Sequence, residues 1–347
     1  MGSSPPLERA YQLALQHHPH PNPRVGAVVV SATGEVVGEG AHEGPGLPHA
    51  EIVALDAARS ARGSTLYVSL EPCAHHGRTP PCVDRIIAEG VSRVVVGTMD
   101  PDRQVAGAGL ERLREAGIDV EVMSDPGARA LDPGYFHHRE TGIPLVILKY
   151  AMTLDGSAAA TDRSSQWVTG EEARIDAQVL RSEVDGVVVG AGTVVTDDPR
   201  LDVRLAGYEG PQPRPVIIAG NSPLPNRARI WERRPLVVST RERPIPAGDL
   251  LLVDGEGHPD PRAACAALSE VGLLYLLLEG GPRLAASWWH TGVIGRGVIY
   301  IGSRVGGGGG IPPLAGVFRT IDDATEVVVT GARQVGSDIR VDFETGV

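Results

Sequence analysis

The sequence predicts an α/β protein of two domains. A chain of 347 residues exceeds one ordinary domain. Short β-branched runs alternate with helix-patterned stretches along its length, as in layered α/β folds. A break in composition at Thr141-Gly142-Ile143-Pro144, ahead of a new apolar run, separates two such series, so the domains are expected at residues 1–143 and 144–347.

In the first series, Leu7 to Gln16 has helical spacing and Pro21-Asn22-Pro23 ends it. Val25 to Val30 and Glu35 to Ala41 read as a hairpin across Thr33-Gly34. A helix is expected from His49 to about Ala61, with Gly63 as its stop, and a strand from Leu66 to Leu70. Pro72 after that strand is placed to open a helix whose dipole would favour a Cys73 thiolate. Val83 to Ala88 is helical, Val94 to Gly97 a buried strand, Gly109 to Ala116 a helix and Ile118 to Val122 a strand. Asp125-Pro126-Gly127 and Asp132-Pro133-Gly134 read as punctuation.

The second series opens with a strand from Leu145 to Tyr150, a helix from Glu171 to Glu183 and a buried strand from Asp185 to Gly190. Further strands are expected at Pro215–Ala219, Leu236–Ser239, Leu250–Val253, Leu273–Leu278 and Gly297–Ile301, with a helix at Arg283–Trp289. Glu279-Gly280-Gly281-Pro282, between a strand and that helix, is a place where backbone N–H groups can approach a phosphate. By itself the pattern is weak, since Gly-Gly after a strand is more often a plain turn. The Rossmann fingerprint is not convincingly present, and Gly306 to Gly310 reads as a flexible loop.

A net charge of -11 argues against a general nucleic-acid binder, which needs a basic face. No segment has the length of a membrane span, and the N-terminal residues lack a basic region followed by an apolar core, so a cytoplasmic protein is expected. Three cysteines make no disulfide framework. Cys265 lies in an Ala-rich helical run and is expected in the core.

The chemistry concentrates between His49 and Cys82. His49-Ala50-Glu51 is followed, after one helix and one strand, by Pro72-Cys73 and then Cys82. One imidazole and two thiolates fill three corners of a zinc tetrahedron and leave the fourth for water, as catalytic sites do. A carboxylate beside such a water can take its proton and pass it to a leaving amine, which makes Glu51 the expected proton carrier. Zinc deaminases carry H-x-E followed by P-C-x-x-C, with the Glu outside the zinc shell. Here eight residues instead of two separate Cys73 from Cys82. The bland alternative, a surface histidine and two buried apolar thiols, leaves the joint occurrence of both halves of the signature unexplained.

Pro21-Asn22-Pro23-Arg24-Val25-Gly26, His49-Ala50-Glu51 and the run from Pro72 to Cys82 together resemble the deaminase half of the bifunctional deaminase/reductase family of riboflavin biosynthesis. That family's variant of the motif carries the long insert containing Gly77-Arg78-Thr79-Pro80-Pro81. Leu154-Asp155-Gly156, Ser165-Gln166-Trp167-Val168-Thr169-Gly170, Gly190-Ala191-Gly192-Thr193, Asp197-Asp198-Pro199-Arg200-Leu201 and Glu279-Gly280-Gly281-Pro282 resemble its reductase half in the same order. The resemblance implies a cytidine-deaminase-like α/β/α layered domain followed by a dihydrofolate-reductase-like α/β domain, with one zinc per chain and NADPH as cofactors. It implies zinc at His49, Cys73 and Cys82, catalysis by Glu51, and substrate contacts at Asn22, His76 and Asp100, with His42 a weaker candidate. His17, His18 and His20 are expected on the surface.

In the second domain the resemblance implies a nucleotide site at Ala151, Trp167, Thr193, Asp197 and the run Gly281, Pro282, Arg283, Leu284, Ala285, Ala286 and Ser287. Ser165, Arg181, Leu201, Arg204 and Glu279 would hold the substrate, the two arginines as bidentate phosphate clamps. Asp155 and Glu279 are candidate acids for the reduction. Two departures stand out: Asp102-Arg103 where the family has Asn-Pro, and Ser157 where it commonly has a basic residue. The implied activity deaminates 2,5-diamino-6-(5-phosphoribosylamino)pyrimidin-4-one and then reduces its ribosyl group to ribityl. A small phosphoribosylated pyrimidine is thus the expected partner, with no nucleic acid or membrane, and a homo-oligomer through the reductase domain. A specialised homologue with only one active domain, acting on a related aminopyrimidine, is the enzymatic alternative. A zinc-stabilised regulatory protein is the non-catalytic one, and it would have no use for Glu51.

Overall fold

The computed structural model describes residues 4–76, 80–102, 106–316 and 319–346. The chain divides into two compact units, Met1–Gly142 and Ile143–Val347.

The first unit runs α1 (Pro5–Ala14), β1 (Gly26–Val30), β2 (Val36–Ala41), α2 (Ala50–Ala57), β3 (Thr65–Leu70), α3 (Cys82–Ala88), β4 (Arg93–Thr98), α4 (Ala108–Glu115), β5 (Asp119–Val122), α5 (Pro126–Ala130) and α6 (Pro133–Thr141). Its sheet has the order β2-β1-β3-β4-β5, with β1 antiparallel to β2 and β3, and β3, β4 and β5 parallel. Ala10 and Leu13 of α1 pack with Val28 and Ala41, so the apolar stripe of this helix covers the hairpin. At Gly38 a Cβ would lie 2.1 Å from the Ala54 carbonyl oxygen, so glycine lets α2 approach the sheet.

Three expectations for this unit change. α2 ends at Ala57, short of Ala61, because Ala58 turns extended and Ala61 is drawn into the core on the way to β3. No helix begins at Pro72: Cys73 lies on a loop and Cys82 opens α3. The two Asp-Pro-Gly runs are helix starts. Asp125 and Asp132 are N-caps whose side chains accept from Gly127 and Tyr135 backbone N–H groups, with proline in the first turn where its missing donor costs nothing.

The second unit runs β6 (Leu145–Thr153), α7 (Glu171–Glu183), β7 (Gly186–Gly190), α8 (Ala191–Asp197), β8 (Arg214–Ala219), β9 (Leu236–Ser239), β10 (Asp249–Leu252), α9 (Pro261–Glu270), β11 (Tyr275–Leu278), α10 (Pro282–His290), β12 (Ile294–Gly302), β13 (Val328–Val335) and β14 (Asp338–Glu344). The sheet order is β10-β9-β8-β7-β11-β6-β12-β14-β13. Strands from β10 through β12 are parallel, and the last hairpin adds antiparallel edges. Both faces of the parallel part are covered: Val187, Val189 and Leu277 join one apolar cluster, Val188, Leu276 and Leu278 the other. Cys265 is fully buried in the second cluster. The hairpin of β13 and β14 is absent from the sequence expectation because β13 is exposed along most of its length and shows no apolar alternation.

Candidate functional site

In the first unit every candidate residue sits at one edge of the sheet. β3 and β4 are parallel, so Glu71-Pro72-Cys73 and Asp100 emerge together at their C-terminal ends. β1 alone runs opposite to β2, β3 and β4, and its register of Gly26 with Ala41 brings Asn22, before β1, and His42, after β2, to the same edge. The Gly26 N–H donates to the Ser69 hydroxyl at 3.1 Å, which closes that edge behind Asn22.

His49 is the N-cap of α2, and its side chain makes no capping bond. It points to sulfur instead: His49 Nδ1 lies 3.2 Å from Cys82 Sγ and 3.5 Å from Cys73 Sγ. All three ligand atoms fall within 4.8 Å of one another. A tetrahedral zinc, with Zn–S of about 2.3 Å and Zn–N of about 2.0 Å, requires N–S separations of about 3.5 Å. The His/Cys/Cys donor set and spacing therefore fit zinc, with three protein donors and one open corner. The Cys82 backbone N–H donates to Cys73 Sγ at 3.4 Å. The Cys82 thiol also donates to Cys73, which holds Cys73 below the ordinary thiol range and pushes Cys82 above it.

Glu51 follows His49 by two residues and is 3% exposed. Burial, reinforced by the negative Cys73 sulfur, raises its carboxyl to about 7. A carboxyl balanced near neutrality can both accept and return a proton.

Asn22 Nδ2 donates to His42 Nε2 at 2.9 Å, and His42 Nδ1 donates to the Pro48 carbonyl at 3.0 Å. The Pro48 oxygen can only accept, which places the His42 proton on Nδ1. Burial lowers the His42 pKa, and its ring packs edge-on to His49 at 5.1 Å. Asn22 and His49 are thereby joined through one neutral imidazole. His20 corrects an expectation: its side chain is 3% exposed and pairs with Asp132 at 2.7 Å. His76 is exposed on the loop between the cysteines. Gly77, Arg78 and Thr79 of the insert and Arg103 of the departure lie outside the described residues.

Asp100 is 7% exposed, and its carboxylate accepts from the Tyr135 hydroxyl at 3.2 and 3.3 Å and from the Asp102 N–H at 2.9 Å. Burial raises it to about 6. Glu71, which sequence reasoning passed over, accepts from the Gly107 and Gly109 N–H groups at 3.0 and 3.1 Å and ties the 100–109 loop to β3. Glycine is required there, since a Cβ at 109 would meet the Pro72 oxygen at 2.0 Å.

In the second unit the candidates cluster at the C-terminal ends of parallel strands, where open α/β sheets form ligand crevices. Ala151 lies near the end of β6, Thr193 and Asp197 on α8 after β7, and Glu279 to Ser287 after β11. Gly281 caps α10 and Pro282 opens it, leaving the N–H groups of Arg283 and Leu284 free of helical partners. Ala285 and Ala286 turn their methyls into the core, so they shape the helix without reaching a ligand. Trp167 is 58% exposed beneath the Arg174 guanidinium at 4.5 Å, and Ser165 beside it is exposed.

Arg181 forks onto Glu279, Nε and Nη2 donating at 2.8 and 2.7 Å, and Nη1 donates to the Asp202 carbonyl at 3.1 Å. Burial would raise Glu279, and Arg181 outweighs it, bringing the carboxyl down to about 2. Arg181 is thus committed to a carboxylate, whereas Arg204 is exposed and pairs with Asp202 at 2.6 Å. Leu201 is 2% exposed. Lys149, also missed, lies at a register that sets it beside Glu279, and burial lowers its pKa. Its signal was a lone lysine inside the apolar run from Leu145 to Met152. Asp155 accepts from the N–H groups of Gly306, Gly307 and Gly308 at 3.1, 2.8 and 3.1 Å and from the Thr153 hydroxyl at 2.6 Å. Those donors hold it below the usual carboxylate range, so it anchors the glycine loop as an anion. Ser157 closes the same turn, donating its N–H to Thr153 Oγ1 at 3.0 Å.

Comparison with known proteins accounts for both halves. Residues 144–341 match the RibD C-terminal domain, and residues 5–98 match the cytidine and deoxycytidylate deaminase zinc-binding region. The chain is 40% identical over 337 residues to riboflavin biosynthesis protein RibD of Aquifex aeolicus, covering 94% of this chain and 93% of that protein. It is 37% identical over 359 residues to RibD of Escherichia coli, covering 96% of each. Among solved structures, Acinetobacter baumannii RibD superposes with a TM-score of 0.89 at 32% identity over 97% of both chains. The diaminohydroxyphosphoribosylaminopyrimidine deaminase/5-amino-6-(5-phosphoribosylamino)uracil reductase of Thermotoga maritima superposes with a TM-score of 0.88 at 32% identity over 98% of this chain and 97% of that one.

Proposed function

We infer the chemistry from the family: the chain belongs to the RibD family, the bifunctional deaminase/reductases of riboflavin biosynthesis. It is an enzyme with two activities, a zinc-dependent deamination of the diaminohydroxyphosphoribosylaminopyrimidine and an NADPH-dependent reduction of 5-amino-6-(5-phosphoribosylamino)uracil to the ribityl product. The observation that carries the deaminase assignment is the meeting of His49, Cys73 and Cys82 at zinc-ligand spacing beside a buried Glu51.

His49, Cys73 and Cys82 would hold the zinc, which when bound acidifies a water near neutrality and so provides the nucleophile. Glu51 would take that water's first proton and deliver it to the ring nitrogen, then carry the remaining hydroxyl proton to the amino group as it departs as ammonia. A carboxyl near 7 suits both directions of transfer. Asn22 would orient the pyrimidine, with its amide fixed by His42, and the exposed His76 would close over the substrate. Asp100, turned inward, would contribute through the backbone of its loop.

In the second unit NADPH supplies the hydride. Gly281 to Leu284 would receive its phosphates, and the residues from Ala285 to Ser287 would fix the helix behind them, with Ala151, Trp167, Thr193 and Asp197 lining the rest. Ser165, Leu201 and Arg204 would hold the ribosyl substrate, with Arg204 the exposed cation for its phosphate. Arg181 and Glu279 would act as a fixed pair at the crevice floor. The domain limits 1–143 and 144–347 serve these two activities. A homo-oligomer through the second unit fits the exposed Val328 and Val329 on edge strand β13. Among the described residues no helix is long and apolar enough to cross a membrane, and a cytoplasmic enzyme fits that.

The test is metal content together with ammonia release on the diaminopyrimidinone phosphate, for the wild type and Glu51→Ala. Zinc near one per chain in both, with ammonia release lost only in the variant, is the expected result. Zinc without ammonia from the wild type would redirect the search to other aminopyrimidines.

A further inference from the structure

We infer that Asp132 and Tyr135, at the start of α6, are positioning residues of the deaminase that hold from behind the two loops carrying Asn22 and Asp100. The inference rests on the deaminase assignment and on Asn22 as a substrate contact. Both residues lie outside the two matched regions, 5–98 and 144–341.

Asp132 is 2% exposed, and an uncompensated carboxylate there would be costly. Its Oδ1 accepts from the Tyr135 N–H at 3.1 Å and from His20 Nε2 at 2.7 Å, and its Oδ2 accepts from the Arg24 N–H at 2.9 Å. Capping α6 needs only the first of these, which Asn, Ser or Thr would serve equally well. The remaining capacity goes to residues two before and two after Asn22. One carboxylate therefore clamps both ends of the segment that aims the Asn22 amide. Asn22 itself turns within the clamp, its N–H donating to the Pro19 carbonyl at 3.0 Å while its side chain reaches His42.

The second loop is gripped from the same helix. The Tyr135 hydroxyl donates to Asp100, and Arg139, one turn further on, lies over the Tyr135 ring at 4.9 Å and reaches Asp102 at 3.7 Å. Asp102 is the residue that departs from the family's Asn, and Arg139 is the cation that receives it. Glu71 holds the other side of this loop.

The experiment measures ammonia release by the full-length zinc-loaded enzyme for Asp132→Asn, Asn22→Ala and the double variant. Asp132→Asn retains the cap acceptor but turns an amide NH2 toward the Arg24 N–H. The expected result is a KM raised about tenfold with kcat within a few-fold, zinc still one per chain, and reduction of pre-deaminated substrate unchanged. On the Asn22→Ala background the same change should add less than about twofold, because both act through one contact. His20→Gln, which keeps a donor toward Asp132, should stay near wild type while His20→Leu behaves like Asp132→Asn. These two variants carry the test if Asp132→Asn fails to fold. Tyr135→Phe should raise KM severalfold, independently of Asn22→Ala. Equal factors in both backgrounds, loss of zinc, or a fall confined to kcat would overturn the inference. A wild-type KM for Asn22→Ala would instead remove the Asn22 assignment, and the clamp's role with it.

Discussion

Two buried glutamates, one in each unit, show how environment divides a single residue type between opposite tasks. Glu51 has a thiolate neighbour and almost no water, and its carboxyl rises to about 7. Glu279, its side chain 11% exposed, sits in the fork of Arg181, with Lys149 alongside, and falls to about 2. Burial pushes both upward, and the sign of the nearest charge decides the outcome. The first can carry a proton at neutral pH. The second is a permanent anion that fixes an arginine.

The largest effect expected from this contrast is on chemistry. Glu51→Gln should lower kcat for ammonia release by about 10³-fold, within the range for removal of a general acid–base group, while zinc stays bound. Glu279→Gln should leave ammonia release untouched, and an equal loss in both variants would erase the distinction. Next comes Arg181→Met, which strands a buried carboxylate. It should destabilise the second unit by about 3–5 kcal/mol, read from urea unfolding followed at that unit.

The same pair sets an acid limit. A carboxyl depressed from 4.5 to about 2 contributes stability that is complete above the unfolded value and is lost as pH falls through the folded one. Between about pH 4.5 and 2 the second unit should lose about 3 kcal/mol from Glu279 alone, and Glu279→Gln should flatten that slope. An unchanged slope would show that other carboxylates govern acid unfolding. The smallest effect concerns the turn anchored by Asp155. Ser157→Lys should tighten NADPH binding a few-fold, about 1 kcal/mol at most, if a basic residue there meets phosphate. An unaltered Kd would remove that role from position 157.

The zinc ligands and their proton carrier could be named from sequence because catalytic spacing is local. His49 and Glu51 share one helix start, Cys73 ends a strand-to-loop step, and Cys82 opens the next helix. The hydrophobic runs that became β3, β4, β7 and β11 were likewise legible, since buried parallel strands read as continuous apolar segments. Asp125-Pro126-Gly127 and Asp132-Pro133-Gly134 were misread because the same three residue types serve turns and helix N-termini. Only the capping bond to a following N–H distinguishes them. His20 looked like a surface residue among other histidines until a partner far along the chain buried it.

By itself, then, the sequence determined which residues carry reactive groups and in what order strands and helices present them, because periodicity and short motifs act over a few residues. Tertiary structure alone decided which charges meet. Arg181 with Glu279, His20 with Asp132, and Tyr135 with Asp100 are pairs brought together by sheet order and helix placement. Their consequences, a depressed carboxyl, a clamped Asn22 and an inward Asp100, follow from Coulomb attraction and desolvation at distances that no local pattern encodes.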